Sequence, residues 1–277
     1  MAGGRMVPVG GGIGIGMLLL VLVLSAVFGQ DPTKLLTELG GGQVEEQAPA
    51  EAPQGGTVVY DEEKDRIAAV LGDIEDTWGP IFTRAGAEYA TPKLVLYSSM
   101  TRTACGMGQA ATGPFYCPGD GKVYIDLAFF QELGRLGIEG EFAQAYVVAH
   151  EVGHHVQNEM GITTQVRRIQ EQARSQAEVN EVSVLLELQA DCYAGIWAHF
   201  AETQRDLLDA ADVEEGINAA AAVGDDRLQR MSGRAVNPDS FTHGTSEERA
   251  GWFLVGFQAG DLQTCDVFAK GADGYQR

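Results

Sequence analysis

The stretch AHEVGHHVQN, residues 149–158, decides the fold prediction for this chain. It contains three of the five histidines in the 277 residues, together with one glutamate. Its first part fits His-Glu-x-x-His, with His150 and His154 four residues apart. In an α-helix, two such residues differ by about 400° of rotation, so both imidazoles lie on one face. The stretch therefore predicts a helix that presents both histidines to a single metal ion.

Glu151 follows the first of these histidines. At this position a carboxylate can reach a water molecule at the metal without binding the metal, which suits a general base. The neighbouring residues are mostly apolar, with Tyr146, Val147 and Val152 among them. We therefore expect a buried helix over residues 142–160, closed by a glycine at position 161.

A catalytic zinc needs a third protein ligand and one open position. The extended motif with a third histidine is excluded, because Met160 occupies that position. The later segment ELQAD contains Glu187 and Asp191, which share a helical face. We expect Glu187 to bind the zinc and Asp191 to accept a hydrogen bond from a ligand histidine. The alternative is a solvated acidic face, but the flanking leucines favour burial.

Charge and composition limit the possible partners. The formal charge is −20 and the sequence pI is about 4.5. Such a chain offers no basic surface that could displace counterions from phosphates, so nucleic acid is excluded as a partner. Peptide or protein substrates remain possible.

The amino terminus predicts a membrane anchor over residues 1–29. Residues 7–28 contain no charge over 22 positions, and about 20 apolar residues are enough to span a bilayer as a helix. Arg5 precedes this segment, which favours a single-pass protein with the following domain outside the cytoplasm. A cleaved signal peptide is the competing interpretation, and it would make the protein secreted.

The rest of the chain divides into a linker and one domain. Residues 30–56 include a run rich in Gly, Pro, Ala, Gln and Glu, which is typical of a flexible tether. For residues 57–277, patterns predict a helix over 67–86, strands at 93–99 and from 123, and then almost only helices, including a long run at 164–205. The predicted class is therefore α+β, with a small sheet followed by helices.

The four cysteines form no C-x-x-C pair, so a cysteine zinc site is not expected. Cys105 and Cys117 bracket a Gly-rich turn, where a local disulfide can form. Cys192 lies on a predicted helix, and a bridge to Cys265 could fix the carboxyl-terminal tail. Four buried thiols are the alternative, but export of the domain favours two disulfides.

Several longer segments resemble the bacterial neutral zinc metallopeptidase family, which is of gluzincin type, with HExxH followed by ExxxD. The likeness extends from about residue 75 to 268. The segments that carry it are TRTACGMG, GPFYCP, VYIDL, AHEVGHHVQN, ELQADCYAG, GDDRLQ and DSFTHGTSEER. The resemblance implies a zincin-like fold and a zinc-dependent peptidase with one Zn²⁺ per chain.

Membrane-associated gluzincins carry a histidine followed six residues later by an arginine, and His243 with Arg249 is similar. The resemblance implies catalytic roles for both, with the histidine stabilising an oxyanion. Residues 245–248 also predict a helix cap. We expect Asp225 to lie on a helix surface rather than orient His243, and His155 to be a second-shell or surface residue.

Together these features predict a membrane-anchored peptidase in which zinc activates water and Glu151 acts as general base. We expect the strand at 123–126 to be an edge strand that aligns the substrate. Two other functions are alternatives. One is a zinc-stabilised, membrane-tethered binding module, and the other is an amidase that acts on cell-wall peptides.

Overall fold

The computed structural model describes residues 59–98, 100–109, 113–135, 138 and 140–276, which belong to the unit Thr57–Arg277. The predicted anchor at 1–29 and the linker at 30–56 lie outside the described residues. Within the described part of the chain, no helix is both long and apolar enough to cross a membrane.

Among the described residues, five short strands form two small sheets. They are β1 (Lys93–Tyr97), β2 (Met100–Thr103), β3 (Gly106–Gln109), β4 (Phe115–Cys117) and β5 (Lys122–Asp126). The first sheet has the order β1-β5-β4, with β5 parallel to β1 and antiparallel to β4. The second sheet is the antiparallel hairpin β2-β3.

The prediction that residues 123–126 form an edge strand is wrong. Strand β5 is paired on both sides, and its residues Val123–Asp126 are buried. The run Val-Tyr-Ile is typical of a strand covered on both faces, which is a central rather than an edge position. In the described residues, β4 has one unpaired edge.

Nine α-helices make up most of the domain, so the described chain is a mainly helical α+β structure. They are α1 (Val59–Arg84), α2 (Leu127–Arg135), α3 (Glu141–Glu159), α4 (Ile162–Gln172), α5 (Gln176–Thr203), α6 (Ala210–Ala222), α7 (Asp225–Met231), α8 (Ser246–Ala259) and α9 (Val267–Lys270). In the described part of the chain, three short 3₁₀ turns follow α7, α8 and α9, respectively: Pro238–Ser240, Leu262–Cys265 and Ala272–Gln276.

The predicted helical run at 164–205 is two helices. Ala173 is extended, and Ser175 caps the start of α5 by accepting a hydrogen bond from the backbone of Glu178 at 3.2 Å. The glutamate side chain in turn accepts from the backbone N–H of Arg174. These bonds satisfy amides that a continuous helix would have bonded itself, so the chain turns here.

Helices α3 and α5 approach each other closely at Gly153. A Cβ atom at this residue would lie 2.9 Å from the carbonyl oxygen of Ala190 and 3.1 Å from its Cα atom. The missing side chain therefore lets the two backbones touch. This close approach brings the HExxH face of α3 against the ExxxD face of α5.

Helices α5 and α8 are packed in the same way through Gly195 and Gly256. Cβ atoms there would overlap the carbonyl oxygens of Phe253 and Cys192, respectively. Large buried side chains, such as Trp78 and Trp252, fill the core around the three helices. As a result, α8 lies directly behind the acidic face of α5.

Two disulfides use all four cysteines. Cys105–Cys117 joins the β2-β3 hairpin to β4, and Cys192–Cys265 joins α5 to the carboxyl-terminal segment. The Cα–Cα distances are 5.8 and 5.7 Å, in the usual range for disulfides. Both pairings are those that the positions of the cysteines suggest.

Candidate metal centre

His150, His154 and Glu187 meet where α3 and α5 are in contact, and each of them offers one ligand atom within 4.8 Å of the others. His150 Nε2 lies 3.2 Å from Glu187 Oε2, and His154 Nε2 lies 3.3 Å from Glu187 Oε1. Bonds of about 2.1 Å to a tetrahedral zinc would separate neighbouring ligand atoms by about 3.4 Å. The three residues therefore fit a zinc ion in donor type and in spacing.

Asp191 fixes the orientation of His150. Its Oδ1 lies 2.7 Å from His150 Nδ1, and the carboxylate is fully buried. Because a carboxylate only accepts hydrogen bonds, Nδ1 carries the proton and Nε2 keeps the lone pair that binds a metal. Asp191 also accepts from the hydroxyl of Tyr146 at 2.6 Å.

Arg249 supports the same carboxylate from α8. Its Nε and Nη2 donate to Asp191 at 2.8 and 3.0 Å, and its side chain is buried. Nη2 also lies 4.0 Å from Glu187 Oε2. Sequence reasoning paired Arg249 with His243 as a catalytic residue. The structure instead places its hydrogen bonds on Asp191 and on Tyr146, at 3.3 Å.

Gln157 orients the ring of His154 as Asp191 orients that of His150. The sequence patterns did not predict this role of Gln157. Its Oε1 lies 2.9 Å from His154 Nδ1. Its Nε2 donates to the Leu186 carbonyl at 2.7 Å and to Gln189 Oε1 at 3.1 Å, which orients the amide. Gln189 then donates to the carbonyl of Cys265. Gln157 follows His154 by one helical turn, and this spacing is the signal that could have identified it.

The charges of the site shift its pKa values strongly in the absence of a metal. Burial alone would lower the pKa of His150, but the charge and hydrogen bond of Asp191 outweigh it and raise the pKa to about 10. Burial also acts to lower the pKa of His154, but the charge and hydrogen bond of Glu187 raise it. The two histidines hold the pKa of Glu187 well below its usual range despite burial. Without a metal, Glu187 therefore stays anionic, and His150 and His154 bind protons in the place where a metal cation would bind.

Glu151 is buried on α3 and lines the same cleft. Burial raises the pKa of its carboxyl, although the nearby charges of His150 and His154 act in the opposite direction. A carboxyl group with a raised pKa holds a proton more readily than an exposed one. Glu151 therefore has the electrostatic setting of a group that accepts and returns a proton.

His243 lies at the mouth of the cleft, and its side chain is half exposed. Asp225 binds its backbone N–H at 2.6 Å and lies 3.4 Å from its Nδ1. The preference for Asp225 as a plain surface residue was therefore wrong. Burial would raise the pKa of Asp225, but the hydrogen bonds and charge of His243 lower it. Asp225 is held beside His243 because it lies at the start of α7, where its carboxylate also accepts a hydrogen bond from the backbone N–H of Thr242.

A cleft of about 630 Å³ opens above the predicted ligands. Its floor includes His150, Glu151, His154, Glu187 and Arg249. One wall is formed by Gly113, Pro114, Phe115 and Tyr116, which belong to β4 and the residues before it, and the remaining lining includes Phe129, Leu186 and Leu228. The site is thus a polar centre at the base of a largely apolar cleft.

His155 is a buried residue rather than a surface residue. It is 3% exposed and packs beside Tyr89 and Tyr116. Burial lowers the pKa of His155, so the ring is neutral near pH 7. The predicted surface alternative is therefore wrong, because the residue faces the sheet rather than the solvent.

Comparisons with known proteins show the family to which this chain belongs. The chain is 50% identical over 257 residues to the uncharacterized protein YpfJ of Escherichia coli strain K12, covering 92% of this chain and 87% of that protein. It is 41% identical over 217 residues to an uncharacterized protein of Mycobacterium tuberculosis strain H37Rv, covering 74% and 70% of the two chains. No solved structure matches the chain at a significant level. The family model described as "Putative neutral zinc metallopeptidase" matches residues 1–268, and the chain therefore belongs to this family.

Proposed function

We propose that this protein is a zinc-dependent metallopeptidase that hydrolyses peptide bonds, with His150, His154 and Glu187 as zinc ligands and Glu151 as general base. The observation that carries the proposal is the position of Glu151. This carboxylate lines the floor of an open cleft, next to a ligand set spaced for a tetrahedral zinc. A binding module stabilised by zinc would have no chemical use for a further buried acid at this point.

When bound, zinc acts as a Lewis acid that polarises a carbonyl and makes water acidic enough to lose a proton near neutral pH. Glu151 accepts that proton as the water oxygen attacks the carbonyl carbon of the peptide bond. It then delivers the proton to the nitrogen of the leaving amine, so that the carboxylate is restored. Its raised pKa suits both halves of this transfer.

His243 is proposed to stabilise the oxyanion that develops on the carbonyl oxygen. It is the histidine at the cleft mouth, and Asp225 and Thr242 Oγ1 contact its Nδ1. This arrangement leaves Nε2 for a substrate. We assign Arg249 a positioning role instead, because its guanidinium is engaged with Asp191.

The substrate is proposed to bind in an extended conformation along β4. This strand borders the cleft and has one edge without a strand partner among the described residues. An extended peptide can add to such an edge through main-chain hydrogen bonds, which is a mode that tolerates varied side chains. The apolar wall formed by Phe115, Phe129 and Leu228 favours apolar side chains next to the cleaved bond.

The fold is proposed to be zincin-like, with residues 1–29 as a single-pass membrane anchor and the catalytic domain outside the cytoplasm. Support for the anchor comes from the 22 uncharged residues at 7–28. Two disulfides agree with an oxidising compartment. Cleavage of the same segment as a signal peptide would give a secreted protein instead.

Metal analysis of the purified protein, followed by a peptide-library cleavage assay, tests this proposal. We expect close to one zinc per chain and cleavage that chelation abolishes and added zinc restores. A parallel assay with cell-wall peptides separates proteolysis from the amidase function. A folded protein that takes up no zinc, or that cleaves no peptide in its zinc form, would contradict the proposal.

A further inference from the structure

His155 is the third histidine of residues 149–158, and the proposed reaction does not use it. Its ring lies between two tyrosine rings, with centroid distances of 5.5 Å to Tyr89 and 5.4 Å to Tyr116. A side chain buried to this extent needs partners for both ring nitrogens. The partners of these two nitrogens indicate the role of the residue.

The two ring nitrogens of His155 contact two different parts of the sheet. Nε2 contacts the carbonyl oxygen of Ala90, just before β1, and Nδ1 lies 3.1 Å from the hydroxyl of Tyr116 in β4. A carbonyl oxygen only accepts, so Nε2 carries the proton of the neutral ring. Nδ1 then accepts from the tyrosine hydroxyl. One imidazole therefore connects helix α3 to strand β4 and to the segment that leads into β1.

The connection to β4 matters because this strand is short and has a strand partner on one side, although the Cys105–Cys117 disulfide also attaches it to the β2-β3 hairpin. Among the described residues, β4 spans three positions and pairs with β5 alone. Tyr116 lines the cleft, and the side chain of Asn158, one helical turn after His155, also bonds to its hydroxyl. The distance between β4 and the metal centre therefore depends on contacts between α3 and this tyrosine.

We infer that His155 is a positioning residue that holds the substrate-binding edge of β4 in register with the metal centre. Consecutive residues of one helix carry the two tasks, since His154 offers a ligand atom to the metal and His155 holds the strand. A peptide laid along β4 then reaches the ligands at a fixed offset. This inference rests on the proposed peptidase function, because it requires a substrate that uses the strand.

Peptide length provides the test. Two substrates share one cleavable bond: a long peptide that extends along β4, and a short blocked one that ends beside the bond. In His155→Phe, which keeps a planar ring but bonds to neither partner, we expect KM for the long peptide to rise roughly fivefold. The short peptide should change by less than about twofold, and zinc content should stay at the parent value.

Tyr116→Phe is the second variant, because it deletes a single oxygen and leaves the fold intact. It should show the same dependence on length, and the loss in the double variant should be smaller than the sum of the two single losses, since both changes remove one shared bond. His155→Gln, which can donate to Ala90 and accept from Tyr116, should recover part of the loss. Amide exchange over residues 115–117 should be faster in His155→Phe, with exchange in α3 unchanged.

The outcomes separate the two proposals. A zinc-loaded parent protein that cleaves neither peptide would contradict the peptidase function and the inference with it. A different result would overturn the role of His155 alone. The parent protein would cleave both peptides, but His155→Phe would lose equally on the long and short substrates, or its amide exchange at residues 115–117 would be unchanged. Loss of zinc from Tyr116→Phe would also overturn it, because the tyrosine would then act on the metal centre itself.

Discussion

His150 Nδ1 lies 2.7 Å from Asp191 Oδ1, on the side of the imidazole ring opposite to the nitrogen that faces Glu187. Asp191 is itself held by Arg249 through two hydrogen bonds. A ligand, its carboxylate and a buried guanidinium therefore form one continuous support that spans α3, α5 and α8. From this relationship we expect the zinc affinity of the site to depend on residues that do not touch the metal.

Replacing Asp191 with Asn should lower zinc affinity about tenfold to a hundredfold, because the amide supports His150 less well than the carboxylate. It should also destabilise the fold by roughly 3 kcal/mol, since Arg249 stays buried without its anionic partner. Zinc competition against a chelator and denaturant unfolding measure the two effects. Asp239→Asn, at an exposed position, is the matched control and should alter neither.

Replacing Gln157 with Leu should lower zinc affinity by roughly tenfold, because His154 loses the group that orients its ring. Gln157→Glu should retain most of the affinity, since a carboxylate can accept the same hydrogen bond. Titration with zinc under chelator competition distinguishes the two variants. Equal affinities for Leu and Gln at this position would mean that the amide has no part in the site.

Zinc binding should release protons, and its apparent affinity should rise with pH. In the metal-free protein, the pKa of His150 is raised to about 10, so near pH 7 its ring is protonated and competes with the metal. The sign follows directly, since raising the pH towards 10 removes the competing proton. We expect about tenfold tighter binding per pH unit for each proton released. Calorimetry in buffers of different ionisation enthalpy counts these protons. A count of zero would contradict the protonation of His150 in the metal-free site.

Replacing Gly153 with Ala should force α3 and α5 apart and cost about 1–3 kcal/mol of unfolding free energy. The added methyl group would meet the backbone of Ala190 rather than a movable side chain. Zinc affinity should fall together with stability. Gly72→Ala provides the control, because this residue of α1 has nothing within 4 Å of its Cβ position and should gain roughly 0.5–1 kcal/mol. Thermal unfolding that shows the same change in both variants would exclude close helix contact as the reason for the glycine.

The grouping of His150, His154 and Glu187 could be predicted because the spacing within each motif fixes its local geometry. A four-residue separation on a helix places His150 and His154 on one face whatever the rest of the fold does, and the same holds for Glu187 and Asp191. The remaining question was which helix faces are in contact with each other. The apolar residues around both motifs indicated that the faces with the motifs are buried.

The pairing of Arg249 with Asp191 could not be predicted in the same way, because Arg249 comes from a distant element. Arg249 is 58 residues from Asp191, and nothing local indicates their pairing. Strand order is equally non-local, so the central position of β5 was missed. The break before α5 is different, since Ser175 and Glu178 form a capping pattern that the sequence does contain.

The central claim is that Glu151 and Glu187 have separate tasks, and measuring zinc content and peptide hydrolysis in Glu151→Gln and Glu187→Gln tests it directly. In Glu187→Gln an anionic ligand is lost, so zinc affinity should fall. In Glu151→Gln the shape of the side chain is kept and the base is removed. The account predicts near-parental zinc content in Glu151→Gln with hydrolysis reduced by at least about a hundredfold. Loss of zinc from this variant while Glu187→Gln keeps it, or normal cleavage by both, would contradict the account.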